Sequence, residues 1–115
     1  MGLDMSISVD GFDILYWGKN YRLRNYFSKL NNFQDCGTTK LTEENVKDLL
    51  ERCKKIKNDN SLVDKLLPFK DKETAERYSY KNKSFLNYDL NYIIEGLENI
   101  LSNYSNSDIE YWENY

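Results

Sequence analysis

The sequence predicts an α+β fold: a small antiparallel sheet, built from an N-terminal hairpin and a C-terminal strand, packed with three main helices. Three observations carry the prediction. Apolar residues alternate on both sides of Asp10-Gly11, a dipeptide that tolerates the positive φ angles of a tight hairpin turn. Three later stretches repeat apolar residues every three or four positions, the period of a helix with one buried face. Finally, Ile109-Glu110-Tyr111-Trp112 follows a polar turn and reads as a closing strand, which a marginal two-stranded hairpin needs for stability.

Placing the turn at Asp10-Gly11 sets Val9 against Phe12, Ile7 against Ile14 and Met5 against Tyr16. Directly opposed residues share a sheet face. Leu3, Met5, Ile7, Val9, Phe12, Ile14 and Tyr16 therefore form one apolar surface. Asp4, Ser6, Ser8 and Asp13 lie on the other, and Leu15 and Trp17 break the alternation.

Gly18 ends the hairpin, and Asn20 can cap a helix over Tyr21 to Asn31. Leu23, Tyr26, Phe27 and Leu30 form its buried stripe, with Arg22, Asn25 and Lys29 toward solvent. Residues 32–40 read as loop. Thr42 caps the next helix, Glu43 and Glu44 suit the dipole of its first turn, and Leu41 and Val46 occupy the positions of a hydrophobic staple. Val46, Leu49, Leu50, Cys53 and Ile56 make its stripe, and Asn58-Asp59-Asn60 stops it. A short helix running into a turn fits the apolar patch around Pro68. Lys70 to Lys83 is read as a charged loop or, from the alternation of Tyr78 and Tyr80, a short strand. Asn87 can cap a long helix from Tyr88 to Tyr104, whose Gly96 is explained by close packing against a neighbour.

The 115 residues fit a single domain, 1–115, with enough chain for a core without metal or disulfide staples. No run approaches a membrane span, and the N-terminus lacks the pattern of a secretory signal, so a cytoplasmic protein without membrane contact is expected. Cys36 and Cys53 are the two cysteines, and no histidine is present. A zinc site then lacks partners, and the commonest general base and every Ser-His or Cys-His arrangement are missing. No catalytic residue, metal ligand or cofactor is expected. Asp4 and Asp13 share a hairpin face but are not directly opposed, and they read as solvated strand carboxylates. Cys53 reads as a buried hydrophobe, and Cys36 as a loop thiol.

The net charge of −3 is bland, but its distribution is uneven. Between Trp17 and Asn32 stand Lys19, Arg22, Arg24 and Lys29 without an acid. From Phe85 onward stand Asp89, Glu95, Glu98, Asp108, Glu110 and Glu113 without a base. The first segment interleaves aromatics and bases, so Trp17, Lys19, Arg22, Arg24 and Lys29 form a candidate nucleic-acid surface on the helix over 21–31. The acidic whole-chain charge argues against direct nucleic-acid binding. The second segment is either an ordinary solvated face with an acidic tail or a protein contact. In the latter reading Asp89, Glu95, Glu98, Asp108, Glu110 and Glu113 meet a basic partner, with Trp112 as the anchor and further tyrosines, Tyr111 among them, exposed beside it.

Met1-Gly2-Leu3-Asp4-Met5, Tyr16-Trp17-Gly18-Lys19 and Asn87-Tyr88-Asp89 before the last helix together resemble a loose group of small phage and prophage proteins. The resemblance implies an inhibitor of host defence, of the anti-CRISPR kind that binds a Cas nuclease or its guide-RNA complex. It assigns no residue a role.

Overall fold

A computed structural model describes residues 3–30, 38–104 and 106–114. Strands β1 (Asp4–Val9), β2 (Phe12–Gly18), β3 (Thr38–Leu41) and β4 (Ile109–Asn114) form one sheet in the order β2-β1-β4-β3, every pairing antiparallel. The C-terminal strand thus sits between the hairpin and β3. Strand β3 replaces part of the loop expected over 32–40: Thr39 and Leu41 are buried and Thr38 and Lys40 exposed, an alternation too short to stand out in the sequence. Residues 31–37, with Cys36, lie outside the described residues.

Asp10 and Gly11 both take positive φ, +51° and +88°, as the turn demands. The expected register holds for Val9–Phe12 and Ser8–Asp13 and then fails. Ile7 pairs with Leu15, Ser6 with Tyr16 and Met5 with Trp17. Ile14 is the extra residue of a β-bulge, and one extra residue turns every later side chain to the opposite face. Leu15 and Trp17 therefore enter the core, Ile14 is half-buried and Tyr16 points away from it. Phe12 keeps its register yet stands 75% exposed at the hairpin end. The expected floor of Phe12, Ile14 and Tyr16 is corrected to Leu15 and Trp17.

The helices cover the face carrying Leu3, Met5, Ile7, Val9, Leu15, Trp17 and Tyr111. Helix α1 (Tyr21–Ser28) starts as expected, with the Asn20 side chain accepting from the Leu23 amide, and Phe27 stacks on Tyr111 at 4.0 Å. Helix α2 (Glu43–Asn58) has the expected Thr42 cap, and Asn45 completes a reciprocal capping box. Its stripe is buried, and burial pushes the Cys53 thiol up to about 12, so that side chain behaves as a hydrophobe. One turn, α3 (Val63–Leu66), precedes Pro68.

Residues 70–83 are neither loop nor strand. Asp71 caps α4 (Lys72–Tyr78), and a helical turn leads through α5 (Asn82–Ser84) into a π-helical turn, Phe85–Asp89, and on into α6 (Leu90–Asn103). Asn87 lies inside that π turn instead of capping a helix. The sequence reading failed because α4 buries none of its residues completely, leaving no apolar stripe to count.

Two buried polar groups correct the α1 reading. Arg22 is 3% exposed: its guanidinium donates to the Leu67 carbonyl at 2.8 Å and to Asn82 Oδ1 at 3.0 Å, pairs with Asp64 at 2.9 Å, and lies 4.2 Å from the Phe69 ring centre. Asn25, also buried, donates to the Pro68 carbonyl at 2.9 Å. These bonds fasten the α3 region to α1, and every donor used is one that burial would otherwise leave unpaired.

Gly96 marks where α6 meets the hairpin. A Cβ there would stand 2.6 Å from Leu15 Cγ and 2.8 Å from Cδ1, with Cδ2 closer still. Gly96→Ala should therefore cost about 1–3 kcal/mol despite the better helix propensity of alanine. Leu15→Ala should cost about 2–5 kcal/mol through the cavity it opens. In urea unfolding the double variant should be clearly more stable than the sum of the two losses, because the new methyl enters the new space. Simple additivity would show that the two side chains do not meet and that the bulge is misplaced.

Candidate protein-binding face

Among the described residues no helix lies over the opposite face of the sheet. Strand pairing lines its side chains up in rows. Tyr16, Ser6, Trp112 and Thr38 form the middle row, and Asp13, Ser8, Glu110 and Lys40 the row nearer the hairpin turn. Asp4 stands on the far side of the middle row, where its Oδ1 accepts from Tyr16 Oη at 2.6 Å. That bond holds the phenol protonated and raises its pKa, with Asp4 the main cause.

Tyr16 is 53% exposed and Trp112 partly so, while Ser6 between them is 1% exposed. The serine is the small residue of the row. Its Oγ has no hydrogen-bond partner among the described residues. The result is an aromatic platform across the central strands. Asp10 and Asp108 meet at its hairpin end: the Asp10 amide donates to the Asp108 carbonyl at 2.9 Å, and the Asp108 amide to Asp10 Oδ1 at 3.0 Å. Phe12 stands at the same end but, in register with Val9, on the helical side of the sheet. Among the described residues the face and its rim thus combine Asp4, Asp10, Asp13, Asp108 and Glu110 with one base, Lys40, around Tyr16 and Trp112.

Of the acids expected to act together, Asp108 and Glu110 belong here with Trp112. Glu113 does not, because strand alternation turns it inward. Its carboxylate is buried, accepting from Arg24 Nε and Nη2 at 3.2 and 3.1 Å and from Tyr111 Oη at 2.8 Å. Tyr111, expected at the surface, is fully buried. Asp89, Glu95 and Glu98 lie on the helical side of the sheet. Glu98 pairs with Lys54 at 3.3 Å, Glu95 is exposed and Asp89 lines a separate cleft. Asp4, Asp10, Asp13 and Tyr16 were missed as site residues. The signal available was the double pair Ile14-Leu15 and Tyr16-Trp17, which a regular alternating strand does not produce.

The basic set is dispersed. Trp17 is 5% exposed in the core, Arg22 is buried and Arg24 is held by Glu113. Lys19 and Lys29 are exposed. Among the described residues no group of three or more Asp, Glu, Cys or His is placed to hold a metal ion, and no helix is long and apolar enough to cross a membrane. No protein-family model, curated protein or solved structure matches the chain.

The inward turn of Glu113 separates it experimentally from Glu110. Glu113→Lys should destabilise the domain by about 3–5 kcal/mol, since it buries a cation against Arg24. Glu110→Lys should cost under about 1 kcal/mol, the scale of an exposed cross-strand pair with Lys40. Urea denaturation of both variants reads the difference. Equal effects would place the two residues on one face and refute the strand alternation.

Proposed function

We propose that this protein is a non-enzymatic inhibitor, encoded by a phage or prophage, that acts in the bacterial cytoplasm by binding a host defence protein, with a CRISPR Cas nuclease as its target. The observation behind the binding role is the uncovered sheet face, where Tyr16 and Trp112 lie among carboxylates. Tyrosine and tryptophan are favoured as interface anchors because they bury large area with few rotatable bonds. The choice of target rests on the resemblance described above and on charge. Nucleic-acid grooves are lined with lysine and arginine, so an occluding protein gains from a negative contact face. Direct nucleic-acid binding by the α1 residues is the weaker reading, since Trp17 and Arg22 are buried and Arg24 already faces a carboxylate.

The test is surface-binding kinetics against a purified Cas nuclease, with and without guide RNA. Trp112→Ala and Tyr16→Ala should each raise the dissociation rate by about tenfold or more, the effect of losing an interface anchor. Asp13→Lys with Glu110→Lys should mainly slow association, most strongly at low salt, because rim charges steer encounter. Native rates for all these variants would place the contact elsewhere. Tight, salt-sensitive binding of the protein to single-stranded DNA or RNA would favour the nucleic-acid reading instead.

A further inference from the structure

A second site lies on the helical side, independent of the sheet face. A small, half-open cleft of about 40 Å³ lies between the turn into α1 and the helical segment 78–89. Two backbone irregularities border it. Lys19 sits at φ +52°, uncommon for a residue with a Cβ, and Phe85 and Asp89 are the first and last residues of the π turn. Such turns are rare, and both they and left-handed non-glycine residues concentrate at functional sites.

The side chains give the cleft a definite chemistry. Tyr21 and Tyr78 stack at 4.1 Å to form one apolar wall, and Phe85 contributes another. Asp89 is half-buried at the rim of this space, with no hydrogen bond or ion pair to any described residue. Burial raises its pKa, and the positive charge of Lys81 works against that rise. A partly desolvated carboxylate without donors is costly for the fold, and a charged N–H group brought by a ligand would relieve that cost. Lys19 and Lys81 line the same cleft and supply positive charge for the other end of such a ligand.

We propose that this cleft binds a small zwitterion with an apolar body, its ammonium on Asp89, its carboxylate at Lys19 and Lys81, and its apolar part against Phe85 and the tyrosine pair. The experiment is an NMR titration of the ¹⁵N-labelled protein with L-phenylalanine, phenethylamine and 3-phenylpropionate, which share the ring and differ in their charged groups. Phenylalanine should bind tightest, each analogue about tenfold weaker for want of one charge-assisted contact, with amide shifts confined to residues 19–22 and 78–89. Asp89→Asn should weaken phenylalanine by about tenfold and abolish its advantage over 3-phenylpropionate. Lys81→Met should narrow its advantage over phenethylamine. Melting curves establish that each variant is folded, and if Asp89→Asn is not, the ligand series and Lys81→Met decide. Equal affinities for the three compounds, no shifts in those segments at millimolar phenylalanine, or a folded Asp89→Asn that binds like the native protein would overturn the proposal. None of these readouts involves the sheet face, so the outcome is separable from that of the nuclease experiment.

Discussion

The bulge at Ile14 is the constraint on which the molecule depends. A single unpaired residue in β2 reverses the facing of everything after it, which puts Leu15 and Trp17 under the helices and Tyr16 outside. Leu15 then needs space, and the missing Cβ of Gly96 provides it, fixing how closely α6 approaches the hairpin. Tyr92, four residues before Gly96, lies edge-on to Trp17 with ring centres 6.3 Å apart, and its hydroxyl accepts from the Tyr16 amide at 3.0 Å. That amide belongs to an edge strand, where an unpaired N–H would invite pairing with another chain. Core packing, helix docking and protection of the edge all follow from one inserted residue.

Side-chain hydrogen bonds to the backbone fasten the segment around Pro68. Arg22 and Asn25 reach the carbonyls of Leu67 and Pro68, and Arg52 reaches that of Leu66 at 2.8 Å. The segment around Pro68 has little regular structure of its own to satisfy these acceptors, so the helices beside it supply the donors. The Arg24–Glu113–Tyr111 cluster has a different role. It lets a charged residue occupy an inward position of β4, which leaves Glu110 and Trp112 as the outward pair and ties the last strand to α1.

Much of this was legible in the sequence, for physical reasons that differ between elements. Helix α2 carries a cap, a staple and a five-residue stripe, three independent signals that agree, and its limits were read correctly. The Asp10-Gly11 turn and the strand over 109–112 were equally clear. Strand β3 was hidden because it owes its existence to pairing with β4, and α4 because its contacts are shallow. Arg22 and Glu113 were misplaced by the rule that charges face water, which fails when a specific partner is waiting inside. The candidate face was half visible. Asp108, Glu110 and Trp112 were identified from charge segregation along the chain, but their neighbours Asp4, Asp13 and Tyr16 are about a hundred residues distant and come together only through β1–β4 pairing. Charge along a chain shows a surface only when that surface is one element, and here it is four strands.

The proposed binding role requires that a partner cover the aromatic platform. Hydroxyl-radical footprinting of the protein, free and mixed with a Cas nuclease loaded with guide RNA, reads this residue by residue. Tyr80 and Tyr88 are 73% and 72% exposed on the helical side and serve as internal references, and buried Trp17 as the unreactive one. The proposed binding role predicts that Tyr16 and Trp112 lose reactivity in the complex while Tyr80 and Tyr88 keep theirs. Protection of Tyr80 and Tyr88 with Tyr16 and Trp112 unchanged would contradict it.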